Sequence, residues 1–240
     1  MPGVTAPAVN WHDVEHGAYE ADLPLWRELA AEAGGRVLDL GAGTGRVAID
    51  LTAHGHEVVA LDTDPVLLAA LADREPHVTT VTADSRDFDL GATFPLVLAP
   101  MQLIQIIGGP ESRAAMLERV HAHLEPGGTF AAALADPHEA ATGDHTEPPL
   151  PDMLERDGWV FSSLPVSIEE RHGGVVVTRR RLSVSPVGDL DEETAEIAFD
   201  LVSADEFEEQ VRAARLTPGE RRSVPETPDH IGSIVVICRR

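Results

Sequence analysis

Hydrophobic residues follow two different periods along residues 20–135. They recur at helical spacing from Leu23 to Ala33, where Gly34-Gly35 ends the predicted helix. Further along, short apolar runs separate segments of helical period, as in strands that are buried on both faces. Strands that alternate with helices predict a doubly wound α/β fold with a mostly parallel sheet. The predicted strands cover residues 36–40, 56–61, 78–83, 96–99 and 129–135.

The pattern changes after Ala135. Residues 136–157 are rich in proline, histidine and acids, lack a clear period, and predict a loop. Beyond this loop the pattern predicts two strands joined by a turn, a further candidate strand, a helix and two last strands. The helix begins with a capping-box pattern formed by Ser203 and Glu206. The predicted strands of this half cover residues 159–168, 175–184, 196–202, 216–224 and 231–239.

The charge balance excludes two classes of partner. The chain has 41 acidic residues against 18 arginines, no lysine, and a net charge of −23 at neutral pH. Such a chain repels phosphate backbones and anionic membrane surfaces, so neither nucleic acid nor a membrane is an expected partner. Cys238 is the single cysteine, which excludes an intrachain disulfide and a cysteine-based metal cluster. Because the sequence has no signal-like N-terminus and no apolar stretch of membrane length, we expect a soluble, cytoplasmic protein.

A glycine-rich segment, Asp39-Leu40-Gly41-Ala42-Gly43-Thr44-Gly45-Arg46, follows the first predicted strand. Its three glycines let a tight turn form and let the backbone approach a ligand closely. A dinucleotide-binding fingerprint would require a glycine where the chain has Arg46, so that class of ligand is disfavoured. By itself, the segment is equally explained as a tight turn between a strand and a helix.

Two acids stand at the ends of the next two predicted strands. Asp62 is placed to accept hydrogen bonds from both hydroxyls of a ribose, and Asp84 to accept from an exocyclic amine. No positive group is placed to neutralise phosphates, which favours a ligand with an adenosine and no pyrophosphate. Each acid alone is about equally well explained as a loop cap.

The order and spacing of five segments resemble those of the class I S-adenosylmethionine-dependent methyltransferases. The segments are VLDLGAGTGR (37–46), LDTDP (61–65), TADSRDF (82–88), LVLAPMQLIQII (96–107) and LEPGGTF (124–130). The resemblance implies a seven-stranded Rossmann-like sheet, a transferase activity, and S-adenosyl-L-methionine as the cofactor. It places the methionine part of the cofactor at Asp39 and the loop of Gly41, Ala42, Gly43 and Gly45, the ribose at Asp62, and the adenine at Asp84 and Ser85. Thr63 and Pro100 are further expected cofactor-binding residues.

With this resemblance, the chain divides into four predicted parts. Residues 1–19 form an N-terminal cap segment, and residues 20–135 form the cofactor-binding α/β core. Residues 136–202 form a lid insertion, which consists of a loop and antiparallel strands after strand five. Residues 203–240 supply the final helix and two strands that complete the core sheet. A β-rich lid of this kind resembles the lids of sugar-amine, glycine and natural-product methyltransferases.

Methyl transfer limits what a sequence can reveal about catalysis. The transfer from a sulfonium is an in-line displacement that requires alignment and exclusion of water, so no universal catalytic residue is expected. Residues 99–102, Ala-Pro-Met-Gln, lack the Asp/Asn-Pro-Pro motif of the enzymes that methylate exocyclic amines of nucleic-acid bases. The same residues offer no acid for a metal-binding triad, so no metal is expected.

Candidates for catalysis and for acceptor binding rest on their position alone. The catalytic candidates are Tyr19, Gln105 and His138. The substrate-binding candidates are Met101, Gln102, Gln105 and Arg179. Plainer explanations compete with these roles: a helix-start staple for Tyr19, the polar face of a short helix for the glutamines, and a solvated sheet face for Arg179. Four histidines lie in the two segments placed to cover the site, and they are His12, His16, His138 and His145. Each of them is more readily explained as solvated or structural.

We therefore expect a methyltransferase that acts on an O or N atom of a small molecule, with natural products and sugar amines as candidate acceptors. A homodimer is a further expectation, because the lid insertion could bring a second chain into contact. Two alternatives stay open. One is a protein or peptide methyltransferase, and the other is a cofactor-binding homologue without catalysis that acts as a regulatory or scaffold subunit.

Overall fold

The computed structural model describes residues 7–135, 150–171, 173–227 and 230–240. Within these ranges the chain forms seven helices and eleven strands. The helices are α1 (Pro7–His16), α2 (Leu23–Ala33), α3 (Arg46–Ala53), α4 (Pro65–Arg74), α5 (Leu103–Ile106), α6 (Gly109–His123) and α7 (Ala204–Ala213). The strands are β1 (Val37–Leu40), β2 (Val58–Asp62), β3 (Thr79–Thr82), β4 (Phe94–Ala99), β5 (Leu124–Ala135), β6 (Asp152–Arg156), β7 (Trp159–Arg171), β8 (Gly174–Val184), β9 (Leu190–Asp200), β10 (Thr217–Val224) and β11 (Ser233–Arg239).

The first sheet has seven strands in the order β10-β11-β5-β4-β1-β2-β3. Neighbouring strands among β1 to β5 pair in parallel, whereas β11 runs antiparallel to both β5 and β10. The predicted doubly wound, mostly parallel α/β fold is therefore confirmed. The strand order reverses at β1, which lies between β2 and β4, and sheets of this type bind ligands at the carboxyl ends of the strands beside such a reversal.

Helices bury both faces of this sheet. On one face, α2 and α3 form a core around Trp26, and on the other face, α6 and α7 form a core that contains Phe207. Successive residues of β1 supply the two cores in turn, Val37 to the first and Leu38 to the second. This double burial is why the strands are continuous apolar runs in the sequence. None of the helices among the described residues is long and apolar enough to span a bilayer.

The insertion forms a second, antiparallel sheet in the order β6-β7-β8-β9, which we call the lid sheet. The prediction of a loop over residues 136–157 is wrong for β6. This strand pairs with β7 through the two-residue turn Asp157-Gly158, in which φ is 53° and 78°. Positive φ at both residues is typical of a type I′ hairpin, and Asp-Gly is a preferred sequence for that turn.

Strand β9 corresponds to the third strand that the sequence predicts in the lid insertion. It is longer than predicted, because it begins at Leu190 rather than at residue 196. Its first half contains Asp191, Glu192 and Glu193, which give no apolar alternation. Because β9 is the edge strand of the lid sheet, these acids are exposed to solvent, where charge discourages pairing with other chains.

Helix α1 was not predicted, since the sequence indicates only a cap segment over residues 1–19. The helix lies between the glycine loop and the lid sheet, where Trp11 and Val14 pack against Phe161 of β7. Two more of its residues, Asp13 and Glu15, are acids that pair with arginines distant in the chain. Charged residues on a buried face conceal the helical period, which explains the missed element.

Candidate active site

Four backbone amides of the glycine loop between β1 and α3 are already hydrogen-bonded to other groups of the protein. The amides of Gly41 and Ala42 donate to the carbonyl of Leu61 at 2.8 and 3.0 Å, and the amide of Gly45 donates to Ala42. The amide of Gly43 donates to Oδ2 of Asp62 at 2.8 Å. Loops that bind phosphate present free N–H groups to the anion. These four amides are already paired, so the loop is unsuited to a pyrophosphate.

Asp39, on β1 just before the loop, has a buried carboxyl group that is 1% exposed. Neither carboxylate oxygen has a hydrogen-bond partner of normal geometry among the described residues. Burial raises the pKa of Asp39 to about 7, while the nearby charge of Arg46 and the amide of Ala48 act in the opposite direction. An unpaired buried carboxylate is costly, and a cationic ligand would offset that cost.

Asp62 ends β2 beside the glycine loop. Its Oδ2 accepts from Gly43 and its Oδ1 accepts from the amide of Asp64 at 2.9 Å, so the carboxylate is fixed in orientation. Each oxygen retains further acceptor capacity toward a ligand hydroxyl. Thr63, the next residue, is exposed to solvent. Asp62 therefore stands at the carboxyl edge of the sheet, where the sequence places the ribose.

Asp84 and Ser85 follow β3 at the same edge. The guanidinium of Arg86 pairs with the Asp84 carboxylate, with Nη2 2.5 Å from Oδ2, and this pairing lowers the pKa of Asp84. The amide of Arg86 also donates to Asp84 at 2.9 Å. Ser85 is buried. An adenine amine would share Asp84 with Arg86, a neighbour whose role the sequence did not indicate.

A small cleft opens beyond β4 at the carboxyl edge. Tyr19 lines it and stacks on His230 with ring centroids 4.7 Å apart, and the Arg46 guanidinium lies 5.1 Å from the Tyr19 ring. Met101 and Gln102, which follow Pro100, line the same cleft. Met101 has a φ of 55°, an uncommon conformation for a residue with a side chain. The structure thus brings together three of the predicted residues, and it adds His230.

Two other predicted residues are engaged by the protein itself. The Gln105 amide accepts from the Ala135 amide at 2.9 Å and donates to the Ala135 carbonyl at 2.8 Å. It also reaches the carbonyl of Asp200, so it joins the two ends of the lid insertion. The Arg179 guanidinium binds Asp152 and Ser163. The catalytic candidate His138, like His145, lies outside the described residues.

His12 of α1 covers the glycine loop. A Cβ built on Gly43 would lie 2.1 Å from Nε2 of His12, so the imidazole fills the space that the missing side chain leaves. Nδ1 of His12 lies 3.0 Å from Oγ1 of Thr44, and that hydroxyl donates to Oδ1 of Asp13 at 2.8 Å. Sequence reasoning placed His12 among residues that could cover the site, but nothing in the sequence indicates this contact.

Ion pairs join α1 to both the core and the lid sheet. Asp13 pairs with Arg74 of α4 at 2.5 Å and with Arg156 of β6 at 2.8 Å. Glu15 pairs with Arg181 of β8 at 2.7 Å and accepts from the hydroxyl of Ser163 at 2.7 Å. Hydrogen bonds from the arginines lower the pKa of both acids, against the opposing effect of burial. The helix is therefore the connection between the glycine loop and the lid sheet.

The donor set of this edge fits the cofactor that the sequence resemblance implies. Asp39 and Asp62 supply negative charge around a loop whose amides are already paired. S-adenosylmethionine carries a sulfonium, an ammonium, one carboxylate and ribose hydroxyls, so that it is a net cation, and it has no phosphate. A cation with hydroxyl donors meets the unpaired acceptors, whereas a dinucleotide would place anionic groups against them.

Comparisons with known proteins agree with this geometry. Residues 37–128 match the model of a methyltransferase domain family. The cypemycin N-terminal methyltransferase of a Streptomyces species is 33% identical over 122 residues, which are 50% of this chain and 50% of that protein. The chain thus spans about half the length of the curated relatives it matches.

Two solved structures resemble the chain over nearly its whole length. The sugar N-methyltransferase KedS8 from Streptoalloteichus has a TM-score of 0.78 at 19% identity and covers 100% of this chain and 97% of its own. The S-adenosylmethionine-bound amino pentose methyltransferase CalS10 from Micromonospora echinaspora has a TM-score of 0.74 at 19% identity, with 100% of both chains covered. Residues 37–128 therefore match the methyltransferase domain family, and the chain has the fold of the S-adenosylmethionine-dependent methyltransferases that it resembles.

Proposed function

We propose that the protein is an S-adenosylmethionine-dependent methyltransferase that acts on an amine nitrogen of a small molecule. The observation that carries the proposal is the buried, unpaired carboxylate of Asp39 beside a loop whose amides are already used. This arrangement favours a cationic ligand without phosphates. Asp62, fixed at the end of β2, is the proposed partner of the ribose hydroxyls.

The chain's residues supply position and environment for the transfer. When bound, S-adenosylmethionine would supply an electrophilic methyl group to the acceptor's lone pair and would leave as the neutral thioether S-adenosylhomocysteine. The carboxylates of Asp39 and Asp62 hold the cofactor at the carboxyl edge of the core sheet. Helix α1 and the lid sheet exclude water from the same edge. The Tyr19 hydroxyl, which lines the cleft, is the proposed hydrogen-bond donor that orients the acceptor.

The names of similar proteins support a nitrogen as the atom that accepts the methyl group. KedS8 is described as a sugar N-methyltransferase, and the cypemycin enzyme is named as an N-terminal methyltransferase. An amine that attacks a methyl group must do so as the neutral base, since an ammonium has no lone pair. The cleft beside Tyr19, Met101, Gln102 and His230 is the proposed place for this group.

The test measures cofactor binding by titration calorimetry with S-adenosylmethionine and its demethylated product, S-adenosylhomocysteine. We expect both to bind the wild-type protein, and the Asp62→Ala variant to lose binding. Asp73→Ala is the matched control, because Asp73 is an exposed acid on α4. Wild-type protein that binds neither compound would overturn the proposal.

A peptide acceptor is the second candidate, and the relationship to the cypemycin enzyme at 33% identity favours it. The two candidates differ in the size of the amine that they require. Mass spectrometry after incubation with S-adenosylmethionine, and either a mixture of small amino sugars or a peptide with a free N-terminus, separates them. Methylation of the peptide alone would replace the small-molecule assignment.

We also propose that two copies of the chain associate through the outer face of the lid sheet. The strand register places Met153 and Leu190 on the face that points away from α1, and they are 64% and 65% exposed. Val160, Leu182 and Val184 share this face. Glu155 and Glu192 stand on the same face, beside this apolar patch. The patch suits a second copy of the same surface, because identical patches pair across a two-fold axis.

A further inference from the structure

The hydrogen bonds around His12 determine which of its ring nitrogens carries the proton. The Thr44 hydroxyl has a single proton, which it donates to the Asp13 carboxylate. Two arginines also pair with this carboxylate, so Asp13 is ionised and acts only as an acceptor. Nδ1 of His12 must therefore donate to the Thr44 oxygen, 3.0 Å away. In a neutral ring this assigns the proton to Nδ1 and leaves Nε2 as a bare acceptor.

Nε2 points to the surface of the glycine loop. The edge of the ring formed by Nε2 and Cε1 lies where a Cβ of Gly43 would stand. Within the described ranges, no hydrogen-bond donor is paired with Nε2. A ligand group that approaches the loop beside Gly43 would meet this acceptor, because the imidazole covers the middle glycine of the three.

We propose that Nε2 of His12 accepts a hydrogen bond from the α-amino group of the cofactor's methionine part. The inference rests on the proposed function, since it needs S-adenosylmethionine or its product in the site. His12 would then be a cofactor contact supplied by α1, from outside the glycine loop and the ends of the strands.

The surroundings of His12 suit a cationic N–H donor. Burial lowers the pKa of His12, so its ring stays neutral at neutral pH and does not repel an ammonium group. The carboxylates of Asp13, Glu15 and Asp62 act on the ring electrostatically, against the positive charge of Arg74. A negative environment with one free acceptor selects an ammonium over a carboxylate.

The test compares two ligands and one conservative variant. In His12→Asn, the short amide can keep the bond to Thr44 that anchors α1, but it lacks the ring edge over Gly43. S-adenosylhomocysteine contains the α-amino group, whereas 5′-methylthioadenosine has the same nucleoside without the amino acid part. We expect His12→Asn to weaken S-adenosylhomocysteine binding about tenfold, the loss expected for one charge-assisted hydrogen bond. The affinity for 5′-methylthioadenosine, measured by displacement, should stay unchanged.

The controls separate this contact from a merely structural role. His77→Ala removes an exposed imidazole and should leave both affinities unchanged. Hydrogen exchange of α1 reports whether the helix stays docked in His12→Asn, and we expect unchanged protection. Unchanged binding of S-adenosylhomocysteine to His12→Asn, or equal weakening of both ligands, would overturn the inference. Wild-type protein that binds neither ligand would instead contradict the proposed function itself.

Discussion

Asp39 shows how a single buried carboxyl group can make the stability of the fold depend on pH. Its carboxylate is buried and unpaired, so its folded-state pKa is raised to about 7 from an ordinary value near 4. A raised carboxyl pKa stabilises the fold below the unfolded-state pKa, and this contribution is lost as pH rises through the folded-state pKa. The free protein therefore loses stability between about pH 4 and pH 7 because of this group.

The corresponding prediction concerns Asp39→Asn, which has no charge to bury. At pH 8 the variant should be more stable than the wild type, on the order of 2–4 kcal/mol, whereas at pH 4 the difference should fall below about 1 kcal/mol. Urea unfolding at the two pH values measures it. The same variant should bind S-adenosylmethionine more weakly, because the cation loses its counter-charge. A variant less stable than the wild type at pH 8 would contradict this account.

At the scale of elements, α1 depends on ion pairs rather than on an apolar stripe. Glu15 is 3% exposed and is surrounded by Arg179, Arg181 and Ser163. Removing one partner from such a cluster leaves an uncompensated charge, which costs more than the pair itself contributes. The pKa of Glu15 is lowered, so its contribution is present above the ordinary glutamate pKa and is lost on acidification.

We predict that Glu15→Gln lowers the free energy of unfolding by about 2–4 kcal/mol and loosens α1. Glu169→Gln is the matched control, because Glu169 is 54% exposed and pairs with an exposed Arg171. The control should change stability by no more than about 0.5 kcal/mol. Denaturant unfolding measures both variants, and hydrogen exchange locates the loss. Equal effects of the two substitutions would show that burial of Glu15 does not determine its contribution.

The elements that sequence reasoning predicted are those with a purely local signal. The capping box at Ser203 and Glu206 starts α7 as expected, with both reciprocal bonds formed. The parallel strands of the core were predicted from their apolar runs. By contrast, α1 and β6 are stabilised by partners that are distant in the chain, such as Arg181 for Glu15 and Asn10 for Arg156. Such pairs leave no periodic pattern in either segment.

At the scale of the whole molecule, the outer face of the lid sheet leads to a prediction about assembly. We expect light scattering coupled to size-exclusion chromatography to give the mass of a dimer for the wild-type protein. Met153→Glu should give a monomer, because a charge would be buried in the proposed interface at the β6 edge of this face. Val66→Glu is the control, since Val66 is an exposed apolar residue on α4. A wild-type monomer, or a dimer that survives Met153→Glu, would contradict the proposed interface.

The net charge of −23 bears on the partners of the whole molecule, but it does not describe the roles of individual acidic residues. The charge alone makes phosphate-bearing partners improbable, and the paired amides of the glycine loop support the same conclusion locally. Yet individual acidic residues have different roles in the fold. Asp39 is unpaired and buried, Asp84 is paired with its neighbour Arg86, and Glu15 joins two elements.

The sequence by itself determined the α/β core and the order of its motifs, because period and glycine placement are local properties of the chain, and the resemblance carried by those motifs implied the cofactor class. It also identified Asp39, Asp62 and Tyr19 as candidate site residues. Only the tertiary structure decided that Gln105 joins the ends of the lid insertion, that the Arg179 guanidinium is engaged by acids and hydroxyls of the protein, and that His12 covers Gly43. Those roles depend on contacts between residues that are far apart in the chain, and side-chain charge or period cannot specify which partner each residue meets.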